Sequence, residues 1–124
     1  MSRSQEGKMT FTAGAALLAN RRVKIKAATA TSPPEVEYAG AGEQHIGVTE
    51  IDASSGGLVT VRPRNMPGSA QVAAAGAFAI GATLYGAATG LVDDAVSGTA
   101  LGLALEAAGA AGDEVECIFD NGGF

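Results

Sequence analysis

HIGVTEIDASSGGLVTV, residues 45–61, sets the fold. It opens apolar–Gly–apolar at Ile46-Gly47-Val48, turns through Ala53-Ser54-Ser55-Gly56-Gly57, and alternates again at Val59 and Val61. Alternation with period two puts successive side chains on opposite faces, which marks strands. The same grammar returns in ALGLALEAAGAAGDEVEC, residues 100–117. There Leu101-Gly102-Leu103 precedes a small-residue turn at residues 107–112, followed by Val115 and Cys117. Glycine inside a strand marks a bend or a close backbone approach. Bends at Gly47 and Gly102 would let two half-units close around one thin core. Duplication explains the echo; chance repetition in Ala/Gly-rich sequence is the alternative.

Working outward, Val23 and Ile25 alternate with Arg22, Lys24 and Lys26, and Val36 and Tyr38 alternate with Glu35 and Glu37. Thr31-Ser32-Pro33-Pro34 breaks the chain between them. Leu58 to Val61 reads as a strand ended by Pro63. Phe78 to Tyr85, Leu91-Val92, Ala100 to Leu105 and Glu114 to Phe119 supply the remaining strands. Ala87-Ala88-Thr89-Gly90 reads as a hairpin-like turn. Short helical pieces are expected at most at Gly14–Ala19 or within residues 67–77. The class is all-β: a small antiparallel barrel or sandwich, with two duplicated half-units. The expected division is an N-terminal arm over 1–20, one β domain over 21–120 and a tail over 121–124.

The chain has 124 residues, enough for one domain. Leu, Ile, Val and Phe make up about a fifth of it, at the lower edge for a packed core. A thin core in a short chain calls for outside support. The lone Cys117 excludes an internal disulfide, and one His with one Cys excludes the common zinc sites. Association between subunits is the support that remains. The uncharged, Ala-rich stretch from Asn65 to Val92 is expected to line such an interface rather than to cross a membrane.

The formal net charge is −5, unsuited to phosphate binding as the main role. All the basic residues lie before residue 65, and seven acids follow it. That asymmetry fits complementary contact between copies, or charges that simply face water. The N-terminus resembles a secretory signal only loosely, because Glu6 interrupts its opening and Arg21-Arg22 follow its apolar part.

No catalytic constellation is legible. His45 lacks a nucleophile and an orienting acid in any known spacing. Cys117 has acidic neighbours, the opposite of a reactive thiol's surroundings. Asp93-Asp94 lacks the oxygen-ligand spacing of a calcium loop. The glycine clusters open no helix that could cradle a phosphate. No cofactor or metal is expected.

The order of pieces is more telling than any one of them. His45-Ile46-Gly47-Val48-Thr49 and Gly57-Leu58-Val59-Thr60-Val61 are followed by Gly81-Ala82-Thr83-Leu84-Tyr85 and Gly90-Leu91-Val92. Last come residues 98–107 and Gly112-Asp113-Glu114-Val115-Glu116-Cys117. This series resembles the capsid cement, or head decoration, proteins of tailed bacteriophages, from about Arg22 to Phe119. Gly81-Ala82 stands where that family often has Gly-Asp. The resemblance implies a non-enzymatic virion protein on the outer surface of the head, made in the host cytoplasm. It implies the major capsid protein as partner and a homotrimer on the shell. Within that reading, Phe11, Leu17, Leu18, Arg21 and Arg22 form the expected capsid or subunit contact, on an arm that orders when it docks. A ligand-binding β module or a virion adaptor is the alternative.

Overall fold

The computed structural model describes residues 8–26, 34–66 and 68–120. The first half contributes β1 (Met9–Ala13), β2 (Arg22–Ile25), β3 (Glu35–Tyr38), β4 (Gly47–Thr49) and β5 (Leu58–Pro63). They close into a barrel in the order β1-β3-β2-β4-β5. The second half contributes β6 (Ala70–Ala73), β7 (Thr83–Gly86), β8 (Val92–Asp93), β9 (Gly102–Ala104) and β10 (Glu114–Phe119). They form a five-stranded sheet in the order β6-β10-β9-β7-β8. A short 3-10 turn, Ala88–Gly90, joins β7 to β8 where the sequence suggests a turn. The all-β class, the barrel and the two half-units agree with the sequence reading.

The two halves repeat one wiring diagram. Antiparallel pairs β2–β3, β2–β4, β4–β5 and β1–β5 are matched by β7–β8, β7–β9, β9–β10 and β6–β10. The expected antiparallel pairing holds except at one place in each half: β1 runs parallel to β3, and a parallel Ala74–Val92 bridge takes that place in the second half. The correspondence reaches single hydrogen bonds. Ala13 donates to the Gly57 carbonyl and accepts from the Gly56 amide, both at 2.8 Å. Ala74 does the same with Asp113 and Gly112, again at 2.8 Å. Gly56 and Gly112 both carry positive φ, which these tight turns require. The Leu17–Ala53 bridge recurs as Phe78–Ala108. Such atom-level repetition is what a duplicated unit produces and what shared composition alone does not.

Each half builds its own core, so the single shared core expected from the sequence is corrected. The barrel packs Phe11, Ala13, Leu17, Val23, Val36, Val59 and Val61. The sheet packs Val72, Ala74, Phe78, Leu84, Val92, Ala104, Ala108, Val115 and Cys117. The Ala-rich stretch thus supplies Val72, Ala74, Phe78, Leu84 and Val92 to the second core. Gly47 and Gly102 sit at equivalent places where a Cβ would overlap the carbonyl oxygens of Arg62 and Ile118. They permit a close backbone approach rather than a bulge.

Three local expectations are also corrected. Residues 8–20 are not an arm. In Met9-Thr10-Phe11-Thr12-Ala13 the apolar positions alternate inward, and β1 closes the barrel between β3 and β5. The remainder of the expected arm, residues 1–7, lies outside the described residues, as do most of the Thr31–Pro34 breaker and the tail at 121–124. Gly14–Ala19 forms no helical turn, because Leu17 is tied to Ala53 by paired 2.8 Å hydrogen bonds. The stretch expected to hold a short helix holds β6, whose Val72 enters the second core.

Candidate functional site: the junction between halves and the exposed apolar faces

Along β2, β4 and β5, Val23, Gly47 and Val61 point into the barrel. Arg22, Val48 and Arg62 therefore point outward, as a cross-strand row. That outward row is covered by the second half. Val48 is only 3% exposed although it belongs to neither core. Gly68 and the first residues of β6, Ala70 and Gln71, lie beside Val48 and Arg62.

Arg22 is the centre of this junction. Its guanidinium donates to the carbonyls of Leu91 and Ala87 at 2.9 Å, and to those of Glu43 and Gly40 at 3.1 Å. Two of those acceptors belong to each half. Gly86 makes room, since a Cβ there would press on the guanidinium. Burial first, then the neighbouring Arg64, lower the Arg22 pKa to about 10 against the opposing pull of Glu43. The group remains a cation at neutral pH. Arg64 completes the seam: its Nε donates to the Asp120 carbonyl and its Nη2 pairs with the Asp120 carboxylate, both at 2.6 Å. Its Nη1 donates to Gln44. Backbone bonds add to the seam, from Gly42 to Gly86 at 3.0 Å and from Gly90 to Ala39 at 2.8 Å.

His45 is fully buried against this seam, edge-on to Phe119 with centroids 4.7 Å apart. Neither ring nitrogen has a hydrogen-bond partner among the described residues. Burial, then Arg22 and Arg64, hold its pKa well below the usual imidazole value, so the ring is neutral. Unfolding releases it to an ordinary pKa of about 6.5. Between those two values the unfolded chain binds the extra proton. Stability should therefore fall as pH drops through about 6.5, by up to about 1.4 kcal/mol per pH unit from this group. Urea titrations at about pH 7 and about pH 5.5 should show that loss, and His45→Leu should remove most of it. An unchanged slope in His45→Leu would assign the acid sensitivity to other groups. Cys117 is equally enclosed; burial, then Glu116 and Glu106, push its thiol up to about 12, so it is an unreactive core residue.

The five residues expected to contact the capsid separate into two sets. Phe11 and Leu17 are core residues of the barrel, 5% and 2% exposed, and Arg22 is enclosed in the junction. Their side chains are spent within the chain, which corrects their expected place on a surface. Leu18 and Arg21 do reach the surface. Leu18 is 51% exposed, and its amide donates to the Tyr38 hydroxyl at 2.8 Å. Arg21 lies 5.5 Å over the Tyr38 ring and donates to the Thr89 carbonyl at 3.0 Å. Beside Leu18 runs a shallow apolar groove of about 360 Å³ lined by Ala16, Leu17, Leu18, Asp52, Ala53 and Ser54. Ile51, also exposed, lies on the opposite chain of the Leu17–Ala53 bridge. Ile51 follows a strand pattern in the sequence, and only the structure shows that its side chain is exposed.

Among the described residues no group of three or more His, Cys, Asp or Glu could hold a metal ion, and no helix is long and apolar enough to cross a membrane. The fold and these surfaces define a small module of two equivalent five-stranded β units, riveted by buried arginines and carrying exposed apolar faces. The chain belongs to the phage cement protein family, whose model matches residues 1–118. It is a structural, capsid-associated phage protein. Its fold is similar to the crystal structure of the N base of the head fiber gp8.5 in bacteriophage phi29. That match has a TM-score of 0.73 at 22% identity and covers 94% of this chain and 96% of the other. No curated protein matches.

Proposed function

We propose that this chain binds the outer surface of the phage head through the major capsid protein, as a homotrimer, and stabilises the shell. The observation that carries the reading is the apolar groove lined by Leu18, with exposed Ile51 next in sequence to Asp52 of its lining, on a chain of the cement family. Arg21 supplies a cation over the Tyr38 ring, whose hydroxyl accepts from the Leu18 amide. Phe11 and Leu17 support the groove from the barrel core. Contacts that form only on the assembled shell stabilise it by mass action. Many identical lattice sites let each contact be modest.

Co-sedimentation with undecorated, expanded heads, with bound copies counted, tests this reading. Saturable binding at a number matching local threefold positions is the expected result. Leu18→Asp with Ile51→Asp should weaken binding by about ten-fold or more while leaving circular dichroism unchanged, as for loss of a buried apolar anchor. Full binding by this folded double variant would rule out the groove as the shell contact.

A further inference from the structure

The internal repeat assigns an equivalent to every residue of the covered row. Arg22, Val48 and Arg62 lie side by side on β2, β4 and β5. Their equivalents on β7, β9 and β10 are Thr83, Leu103 and Ile118, again cross-strand neighbours. The first row is closed by the β7–β8 connection over Arg22 and by Gly68 and the start of β6 beside Val48 and Arg62. The second row is open: Leu103 is 49% exposed and Ile118 47%. Leu105, next on that face, and Ile80, just before β7, are exposed as well. One sheet surface thus occurs twice in the chain, once covered and once bare. The bare copy is the more apolar, with Ile118 in place of Arg62 and Thr83 in place of Arg22.

We propose that the outward face of β7, β9 and β10 is a contact surface between copies of this chain, centred on Leu103 and Ile118. The occupant is the barrel half of a second copy. What covers Val48 and Arg62 is the start of β6 with Gly68 before it, and β6 is the counterpart of β1, since β1–β5 and β6–β10 are matched pairs. Every copy carries that element in its barrel, with Thr10 and Thr12 on the outward side opposite the inward Met9 and Phe11. The contact joins unlike surfaces of two copies. Such a contact makes a ring where the rotation closes, as a trimer requires. Burying a bare apolar row also removes the exposed patch that a lone subunit would carry.

This inference rests on the self-association reading above, and its test separates the two. Sedimentation equilibrium would compare the wild-type chain with Leu103→Asp/Ile118→Asp, both free and after release from decorated shells. The wild type is expected to associate, and the variant to weaken association by about ten-fold or more. Because two aspartates could unfold the sheet, Leu103→Thr/Ile118→Thr keeps strand propensity and serves as the second variant, with circular dichroism verifying the fold. Association retained by a folded variant would overturn this surface and leave self-association standing. A wild-type chain monomeric both free and after release from decorated shells would overturn self-association itself. If the folded variant associates normally yet no longer binds heads, the row docks on the shell and the inference is equally overturned.

Discussion

Removing residues 1–20 is expected to unfold the barrel, not merely to detach the protein from a shell. The deletion takes away β1, the strand that closes the barrel between β3 and β5. It also takes Phe11, Ala13 and Leu17 out of a core of seven fully buried residues. Single core truncations give the scale. Phe→Ala costs about 3–5 kcal/mol and Leu→Ala about 2–5 kcal/mol when buried. Whole domains are stable by only about 5–15 kcal/mol. Losing two such anchors with a strand therefore exceeds what the barrel can lose. The point variants sharpen the test. Phe11→Ala and Leu17→Ala should each lower the urea midpoint strongly, whereas Leu18→Ala, half exposed on the same segment, should change stability by at most about 0.5 kcal/mol. Tyrosine fluorescence and far-ultraviolet circular dichroism can follow unfolding in a chain without Trp. A folded deletion variant of near-native stability, defective only in head binding, would restore the docking-arm picture.

The N-terminal segment shows where the sequence was readable and where it was not. Met9, Phe11 and Ala13 alternate with two threonines, a strand pattern as good as Val23-Lys24-Ile25. It was masked by its position near a terminus and by Ala15–Ala19, which suggest a helical turn. What decides the matter is β3 and β5, whose edges need a partner, and no local pattern reports that need. The glycine-centred echo was legible because Gly47 and Gly102 answer a steric demand that is local to each hairpin. The count of cores was not, since alternation gives the inward face but not which other face it meets. Likewise β6 hides in Ala-Gln-Val-Ala, where one valine carries the whole signal. The candidate surfaces were least legible. Arg21 and Arg22 are adjacent and chemically alike, yet alternation along β2 sends Arg22 into the junction and leaves Arg21 at the surface. Leu17 and Leu18 divide in the same way. Alternation with Val115 and Cys117 sends Ile118 to the outer face of its strand, but no local pattern tells whether that face is covered, and the structure leaves Leu103 and Ile118 exposed.

Replacing Arg22 with methionine is expected to uncouple the two halves. Methionine roughly replaces the buried volume, so packing loss is a minor part of the effect. The larger part falls on the carbonyls of Gly40, Glu43, Ala87 and Leu91, which lose their shared donor inside a junction largely closed to water. A buried acceptor left unpaired costs about 1–3 kcal/mol. The Leu91 and Gly40 carbonyls keep backbone donors from Ala87 and Glu43, which holds the sum below four full penalties, so about 3–5 kcal/mol is the expected loss. Lysine should recover only part of this, because one ammonium cannot span acceptors that a planar guanidinium reaches from several nitrogens. The acceptors come from both the barrel and the sheet, which gives the variant a distinctive signature. Each half keeps its own core, so urea unfolding should broaden toward two transitions with a smaller apparent slope. A single transition at the wild-type midpoint would show that Arg64–Asp120 and the backbone bonds hold the seam alone. Head binding should weaken too, although no exposed atom has changed. The Leu18 groove belongs to the barrel and the Leu103 row to the sheet, so their relative placement depends on the junction that Arg22 occupies.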